Sequence, residues 1–191
     1  MRRRIGSGPS TTLTGKYKQS ITEYQTALAL NLNNADVLVN WGWNLSWQGR
    51  ADEAIEMIEK GVRLNPNHLD WYERALGEAM YMARRYEDAI AEYKKVKIHV
   101  RLSRAYLAAS YPQLDRLEEA RAEVSNTLEL DPEATVESMV SFQRYQNPAD
   151  RDHFGDGLRK AGLPLCATEA QLAQSPDMAR LEDCERQRAS G

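Results

Sequence analysis

The side chains of this sequence that could do chemistry are three histidines, two cysteines and four tryptophans. A catalytic or metal site needs such side chains at spacings that bring several of them together. His68, His99 and His153 are far apart along the chain, and His68 stands in a predicted turn, where we expect it to be solvated. The sequence shows no glycine-rich phosphate loop, no cluster at metal-ligand spacing and no nucleophile motif. We therefore predict that the chain is not an enzyme and that it holds neither a metal nor a cofactor.

The two cysteines, Cys166 and Cys184, both lie near the C-terminus. They form no CxxC pair, and no histidines stand at ligand spacing from them. A disulfide between them would close a loop in a segment that need not be ordered, and cytosolic proteins rarely carry one. The sequence favours two free thiols.

The tryptophans suggest recognition of a partner rather than catalysis. Trp43 and Trp47 are one helical turn apart, so they share a helix face that differs from the face of Trp41. Tryptophan and arginine supply much of the binding energy at protein interfaces. A structural interpretation stays equally open, in which Trp43, Trp47 and Trp71 pack against neighbouring helices or the C-terminal segment.

A repeated pattern indicates which elements carry these residues. Each copy has a large residue, a small residue, an alanine and a bulky residue four places on, and two copies end with proline. The clearest copy comprises Leu38, Trp41, Gly42, Leu45, Ala54, Ile58 and Pro66. The last copy comprises Arg104, Leu107, Ala108, Tyr111, Ala120, Val124 and Pro132, two periods of roughly 34 residues further on. A middle copy, which lacks the proline, comprises Leu76, Gly77, Met80, Ala89 and Tyr93.

One period before the clearest copy, the pattern is incomplete. Only its second half is matched, by Gly15, Tyr17, Tyr24, Ala27 and Leu30. A helix pair buries its apolar faces by stacking on its neighbours, so a half repeat leaves one face without a partner. A homodimer through this N-terminal half repeat is therefore one hypothesis.

Small and turn-forming residues indicate how the helices meet and end. Gly42 and Gly77 are expected to let the two helices of a pair approach closely. Gly49 suits the left-handed conformation that ends a helix, and Asp115 stands in the same place two pairs further along. Pro112 should end or kink the preceding helix, and Asp70 is a good N-cap for the helix that starts at Trp71.

These signals predict the organisation of the chain. Residues 1–14 are expected to be a flexible arm, residues 135–164 two capping helices, and residues 165–191 a mostly disordered tail. The repeat array between them, residues 15–134, divides into a half repeat and three full repeats, 15–34, 35–69, 70–100 and 101–134.

Composition limits the classes of partner. The net charge is −3, so nothing in the overall balance indicates nucleic acid or an anionic membrane. The basic residues at the N-terminus are followed by a small and polar stretch rather than by an apolar run, and no later stretch is long and apolar enough to cross a bilayer. We expect a cytoplasmic protein.

The order and spacing of the copies resemble tetratricopeptide repeats (TPR) over about residues 15–134. The resemblance implies an all-α fold, an antiparallel helix-pair solenoid with C-terminal capping helices, in which the first helix of each pair lines a concave groove. It implies a partner-binding groove of Val39, Trp43, Trp47, Trp71, Arg74, Glu78 and Tyr81, with Ala105 and Ala109 from the last repeat. Val39 and Trp43 stand where chaperone-binding members need Lys and Asn, so the groove is expected to take a more apolar ligand.

A narrower resemblance rests on residues 65–72, 108–111, 114–122 and 156–164. These segments look like the C-terminal repeat region of bacterial class III nucleotide cyclases and of winged-helix regulators. The resemblance implies a regulatory module or remnant of such a protein, without cyclase activity. The leading prediction is instead a non-catalytic scaffold that binds a protein or peptide in the concave groove.

Overall fold

The structure is a computed structural model that describes residues 22–24, 26, 28, 29, 31, 33–141, 145–178 and 180–190. Throughout this described part the regular secondary structure is helical. Residues 22–24, 26, 28 and 29 are helical, whereas the predicted arm, 1–14, lies outside the described residues. The helices that follow are α1 (Ala35–Trp47), α2 (Ala51–Leu64), α3 (Trp71–Met82), α4 (Tyr86–Lys95), α5 (Arg101–Ser110), α6 (Leu117–Leu130), α7 (Val136–Ser141), α8 (Pro148–Ala161), α9 (Glu169–Gln174) and α10 (Glu182–Ala189).

The first six helices form three stacked pairs, α1 with α2, α3 with α4, and α5 with α6. The first helices of the pairs, α1, α3 and α5, lie side by side and form one layer of the stack. This arrangement confirms the predicted all-α solenoid of helix pairs. Its core is continuous from pair to pair, as expected when each pair buries an apolar face only by stacking.

Two glycines allow the helices of a pair to approach closely. A Cβ atom at Gly42 would lie 2.6 Å from Ile58 Cγ1 and 2.8 Å from the Ala54 carbonyl oxygen on α2. A Cβ atom at Gly77 would lie 2.8 Å from the ring of Tyr93 on α4. All three distances are shorter than those that real Cβ atoms show, so the predicted role of these glycines is confirmed.

The turn inside each pair has the same backbone geometry. Gly49, Arg84 and Asp115 occupy equivalent positions with φ values of 77°, 64° and 57°. In each turn, the following residue donates its amide hydrogen to the carbonyl five residues earlier, which completes a Schellman motif. The predicted positive φ at Gly49 and Asp115 is confirmed. Pro112 follows the end of α5 at Ser110, within a 3-10 helix over Tyr111–Leu114, as its ring geometry predicts.

The expectation for Asp70 is wrong. Its backbone is already helical, with φ −50°, and its side chain caps no amide of α3. The carboxylate instead accepts hydrogen bonds from the amides of Lys97 (2.7 Å) and Ile98 (2.8 Å). These bonds lower the pKa of Asp70 and tie together the two loops that connect successive pairs.

Two helices, α7 and α8, lie within the segment predicted to hold capping helices, 135–164. α7 is described over Val136–Ser141, and α8 begins after Asn147, whose side chain accepts a hydrogen bond from the Ala149 amide. Gly162 ends α8 with φ 94°, as expected for a glycine at that place. α8 packs mainly on α5, with further contacts to α6 and α7.

The expectations for the tail differ from the structure. Cys166 and Cys184 form a disulfide, so the prediction of free thiols is wrong. Residues expected to be mostly disordered form α9 and α10. The physical reason is non-local, because the carboxylate of Glu137 on α7 is fully buried and binds the tail. It accepts hydrogen bonds from the amides of Ala167 and Leu181, both at 3.0 Å, and from the guanidinium of Arg188.

Among the described residues, no helix combines the length and the apolar character needed to cross a membrane.

Candidate functional site

The candidate site is the face formed by α1, α3 and α5, to which the predicted groove residues were assigned. Six of the seven predicted residues lie on α3 or on the part of α1 that faces it. The seventh, Val39, is buried inside its own pair, and Tyr81 lies on the face but is covered.

Trp43 and Trp47 share one acceptor on the neighbouring repeat. The indole nitrogen of Trp43 donates to one carboxylate oxygen of Glu78 (2.8 Å), and that of Trp47 donates to the other (2.6 Å). Glu78 is only 4% exposed, and its burial raises the pKa of its carboxyl group, which these hydrogen bonds partly offset. The structure therefore brings three predicted residues together and joins the first repeat to the second.

Trp71 continues the row of indole rings. Its ring lies 6.5 Å from that of Trp43 at an interplanar angle of 23°, and Trp43 lies 5.6 Å from Trp47. Trp71 also meets the ring of Tyr72 edge-on at 4.4 Å. All three tryptophans are half-buried, as is Arg74, which lies on α3 between Trp71 and Glu78. We call the three half-buried indoles, Trp43, Trp47 and Trp71, the tryptophan surface.

Val39 does not line this surface. Its side chain is fully buried and packs against Gly61 on α2, where an added Cβ would lie 2.4 Å from Val39 Cγ2. The prediction for Val39 is wrong, because the close approach of α1 and α2 turns this position into the interior of its own pair.

Tyr81 lies on the predicted face but is covered. It is fully buried, and its hydroxyl donates to the carbonyl oxygen of His153 on α8 (3.3 Å). Ala105 and Ala109 on α5 are fully buried as well. The part of the face near α5 is therefore occupied by the chain itself.

The covering segment, residues 145–161, reaches all three repeats. The Gln146 amide donates to the carbonyl of Trp47 in the first repeat (2.8 Å). In the second repeat, Asp150 forms an ion pair of 3.5 Å with Arg84, which lies in the turn after α3. Gly157 then lies on Ala109 in the third repeat. α8 itself thus packs mainly on α5, while Gln146 and Asp150 reach the C-terminal end of α1 and the turn after α3.

Aromatic residues that the sequence analysis did not assign to the site hold α8 in place. The ring of Phe154 lies 4.4 Å from that of Tyr106 and 6.4 Å from that of Tyr145. The hydroxyls of Tyr106 and Tyr145 share a hydrogen bond of 2.7 Å, and burial raises the pKa of both phenols. The sequence did contain a signal for this contact. Phe154 and Leu158 are four positions apart, a spacing that indicates an apolar stripe along α8.

His153 stands between this aromatic cluster and the surface. Its ring lies 5.0 Å from the ring of Tyr81, and Nε2 lies 3.2 Å from the hydroxyl of Tyr86. Burial lowers the pKa of His153 to about 4, and the positive charges of Arg84 and Lys160 act in the same direction. The folded protein therefore favours the neutral imidazole.

The stability of the protein is expected to fall as the pH drops from 6.5 to about 4, because His153 binds a proton more weakly in the folded than in the unfolded chain. Glu78 and Asp150 act in the opposite direction, since burial raises their pKa values. Urea unfolding of the wild type and of His153→Gln across this range isolates the histidine. The variant should lose less stability on acidification, and parallel curves would contradict this role.

His68 is not the solvated loop residue that was predicted. Its ring stacks on Tyr72 at 4.6 Å, and Nδ1 lies 3.5 Å from a carboxylate oxygen of Glu73. Within the described residues, no group of three or more histidine, cysteine or acidic side chains is arranged to hold a metal ion.

Comparison with known proteins agrees with this geometry. Residues 35–68, which span α1 and α2, match the tetratricopeptide-repeat family model. No curated protein matches the sequence. The family model and the solved structures described here give no support to the resemblance to nucleotide cyclases or winged-helix regulators.

Solved structures of MamA have a similar fold. One crystal structure of MamA is 20% identical, with a TM-score of 0.57 over 83% of this chain and 94% of that one. A double mutant described as MamA RS-1 ArsTM is 18% identical, with a TM-score of 0.58 over 86% and 89%. MamA 41-end from Desulfovibrio magneticus RS-1 is 17% identical, with a TM-score of 0.52 over 77% and 97%. At these identities the likeness shows the fold alone, a solenoid of helix pairs similar to those of tetratricopeptide repeats.

Proposed function

We propose that the chain is a non-catalytic scaffold that binds a protein or peptide at the tryptophan surface of its tetratricopeptide solenoid. One observation carries the proposal: three half-buried indole rings follow one another within 6.5 Å across two repeats. Tryptophans at this density are typical of the centres of protein interfaces. The family match to α1 and α2 supports the scaffold class, because this repeat is built for packing and recognition rather than for catalysis.

The hydrogen bonds to Glu78 narrow the chemistry of the ligand. Because the indole N–H groups of Trp43 and Trp47 are already engaged, these rings offer a partner mainly their apolar faces. Arg74 is the cation on the same helix as Trp71 and could pair with an acidic group at the edge of the contact. We infer a ligand with apolar or aromatic side chains, in keeping with the apolar groove predicted from the sequence.

The proposal predicts that Trp71→Ala lowers capture of the partner at least tenfold while the fold is retained. Trp71 is the appropriate residue to change, because the loss of Trp43 or Trp47 would also leave a carboxylate oxygen of buried Glu78 without its donor. The measurement is quantitative affinity capture from source-cell lysate, followed by titration of the identified partner.

Leu64→Ala is the matched control, since Leu64 is an exposed apolar residue on α2, away from the tryptophan surface. Circular dichroism and thermal melting should show that both variants fold. Equal capture by wild type and a folded Trp71→Ala variant would contradict the proposed surface.

Two further predictions concern assembly and location. Homodimerisation through the half repeat, 15–34, concerns residues that lie largely outside the described part, and sedimentation at several concentrations tests it.

The expected cytoplasmic location stands against the Cys166–Cys184 disulfide, since such bonds are rare in a reducing cytosol. Alkylation of the two cysteines at the moment of cell lysis distinguishes the compartments by their redox state.

A further inference from the structure

The segment that covers the second half of the concave face has features of a bound ligand. α8 and the residues just before it contact all three repeats, each through a different kind of interaction. These are a backbone hydrogen bond from Gln146, an ion pair from Asp150 and close packing at Gly157. We call the surface beneath α8, formed by Tyr81, Arg84, Tyr106 and Ala109, the α8 seat.

The deepest contact in the α8 seat is aromatic. Phe154 is fully buried, with its ring 4.4 Å from that of Tyr106 and 6.0 Å, edge-on, from that of Tyr81. Leu158, one turn further along α8, is also fully buried. Together they form the apolar stripe by which a helix is recognised in a groove.

The closest contact in the seat requires a residue without a side chain. A Cβ atom at Gly157 would lie 2.8 Å from the carbonyl oxygen of Ala109, 2.9 Å from its Cβ and 2.9 Å from the hydroxyl of Tyr81. Backbone and a short side chain cannot move aside, so any larger residue at this position separates the helix from α5. The seat therefore selects both the identity and the register of the helix it holds.

We propose that the α8 seat is a binding site for a partner helix with an aromatic residue, a glycine three positions later and a leucine directly after it, and that α8 is its intramolecular occupant. The spacing is that of Phe154, Gly157 and Leu158. An acidic residue four positions before the aromatic one, like Asp150, completes the match through Arg84. This inference rests on the proposed scaffold function, but it concerns a surface distinct from the tryptophan surface.

A partner helix and α8 compete for the seat, so the apparent dissociation constant of the wild type is the intrinsic one divided by the fraction of chains in which α8 is undocked. A substitution that weakens only α8 should therefore reveal the site. Gly157→Leu is such a change, because it prevents close packing on Ala109 while it favours the helical conformation of α8 itself.

The test uses full-length protein and a fluorescent peptide with the sequence of residues 145–163. Fluorescence anisotropy should show at least tenfold tighter binding of this peptide to the Gly157→Leu chain than to the wild type. A control peptide with the same Gly157→Leu change should bind neither chain. A Gly157→Leu chain that stays folded and binds the peptide no better than the wild type overturns the proposal.

A charge exchange keeps the test decisive if Gly157→Leu fails to fold. In an Arg84→Glu chain, the internal α8 meets like charge at Asp150, whereas a peptide with Asp150→Arg meets opposite charge. This peptide should bind the Arg84→Glu chain at least threefold more tightly than the unmodified peptide does. Equal affinity of both peptides contradicts the seat. Capture by the tryptophan surface is measured separately with Trp71→Ala, so the two proposals can fail independently.

Discussion

Replacement of Glu78 by alanine is expected to lower the free energy of unfolding by about 3 kcal/mol. The change removes the acceptor of two indole N–H groups, those of Trp43 and Trp47, and each unsatisfied donor costs about 1–3 kcal/mol. It also removes a carboxylate whose burial is itself unfavourable, as its raised pKa indicates, and this offsets part of the loss. Urea unfolding followed by far-ultraviolet circular dichroism measures the difference.

Glu78→Gln provides the matched control. The amide keeps the shape and one acceptor oxygen but presents its NH2 group to the second indole, so we expect about half the loss of the alanine variant. Tryptophan fluorescence should report the same order, because the indoles become more solvated as they lose their shared partner. An alanine variant as stable as the wild type would show that the network does not join the first two repeats energetically.

Reduction of the Cys166–Cys184 disulfide is expected to lower the free energy of unfolding by about 3 kcal/mol. The bond joins residues 18 positions apart, and a cross-link over such a loop limits the entropy of the unfolded chain by about that amount. A dithiol reductant supplies the two electrons and two protons that convert the disulfide into two thiols, and is itself oxidised to a disulfide. Chemical unfolding with and without the reductant gives the value.

Glu137 determines where the reduced protein should loosen first. Its fully buried carboxylate depends on the amides of Ala167 and Leu181, which lie close to the two cysteines in sequence. Amide hydrogen exchange at these two residues should accelerate on reduction, while exchange in α3 and α5 stays slow. A Cys166→Ser, Cys184→Ser double variant should show the same exchange rates as the reduced wild type, and the reductant should not change them. Unchanged exchange at both amides would show that the tail is held without the bond.

The sequence determined the parts of this protein that depend on local periodicity and on short-range sterics. Gly42 and Gly77 mark the close approach of paired helices, because only glycine leaves room at that step of the pattern. Gly49, Asp115 and Pro112 mark helix ends through their own backbone preferences. The proximity of Trp43 and Trp47 followed from their spacing of one helical turn. These features need no knowledge of distant residues.

Tertiary structure decided which polar and aromatic groups meet across long stretches of chain. Three side-chain hydrogen bonds show this. Glu78 bonds to Trp43 across 35 residues, Tyr106 to Tyr145 across 39, and Glu137 to Arg188 across 51. Sequence periodicity shows that a helix has an apolar face but not which surface covers it. For that reason Val39 was assigned to the groove although it packs inside its own pair, and α8 was assigned to a cap without its contacts to Tyr81 and Tyr106. Its place was decided by complementarity between Gly157 and Ala109, which only the assembled fold brings together.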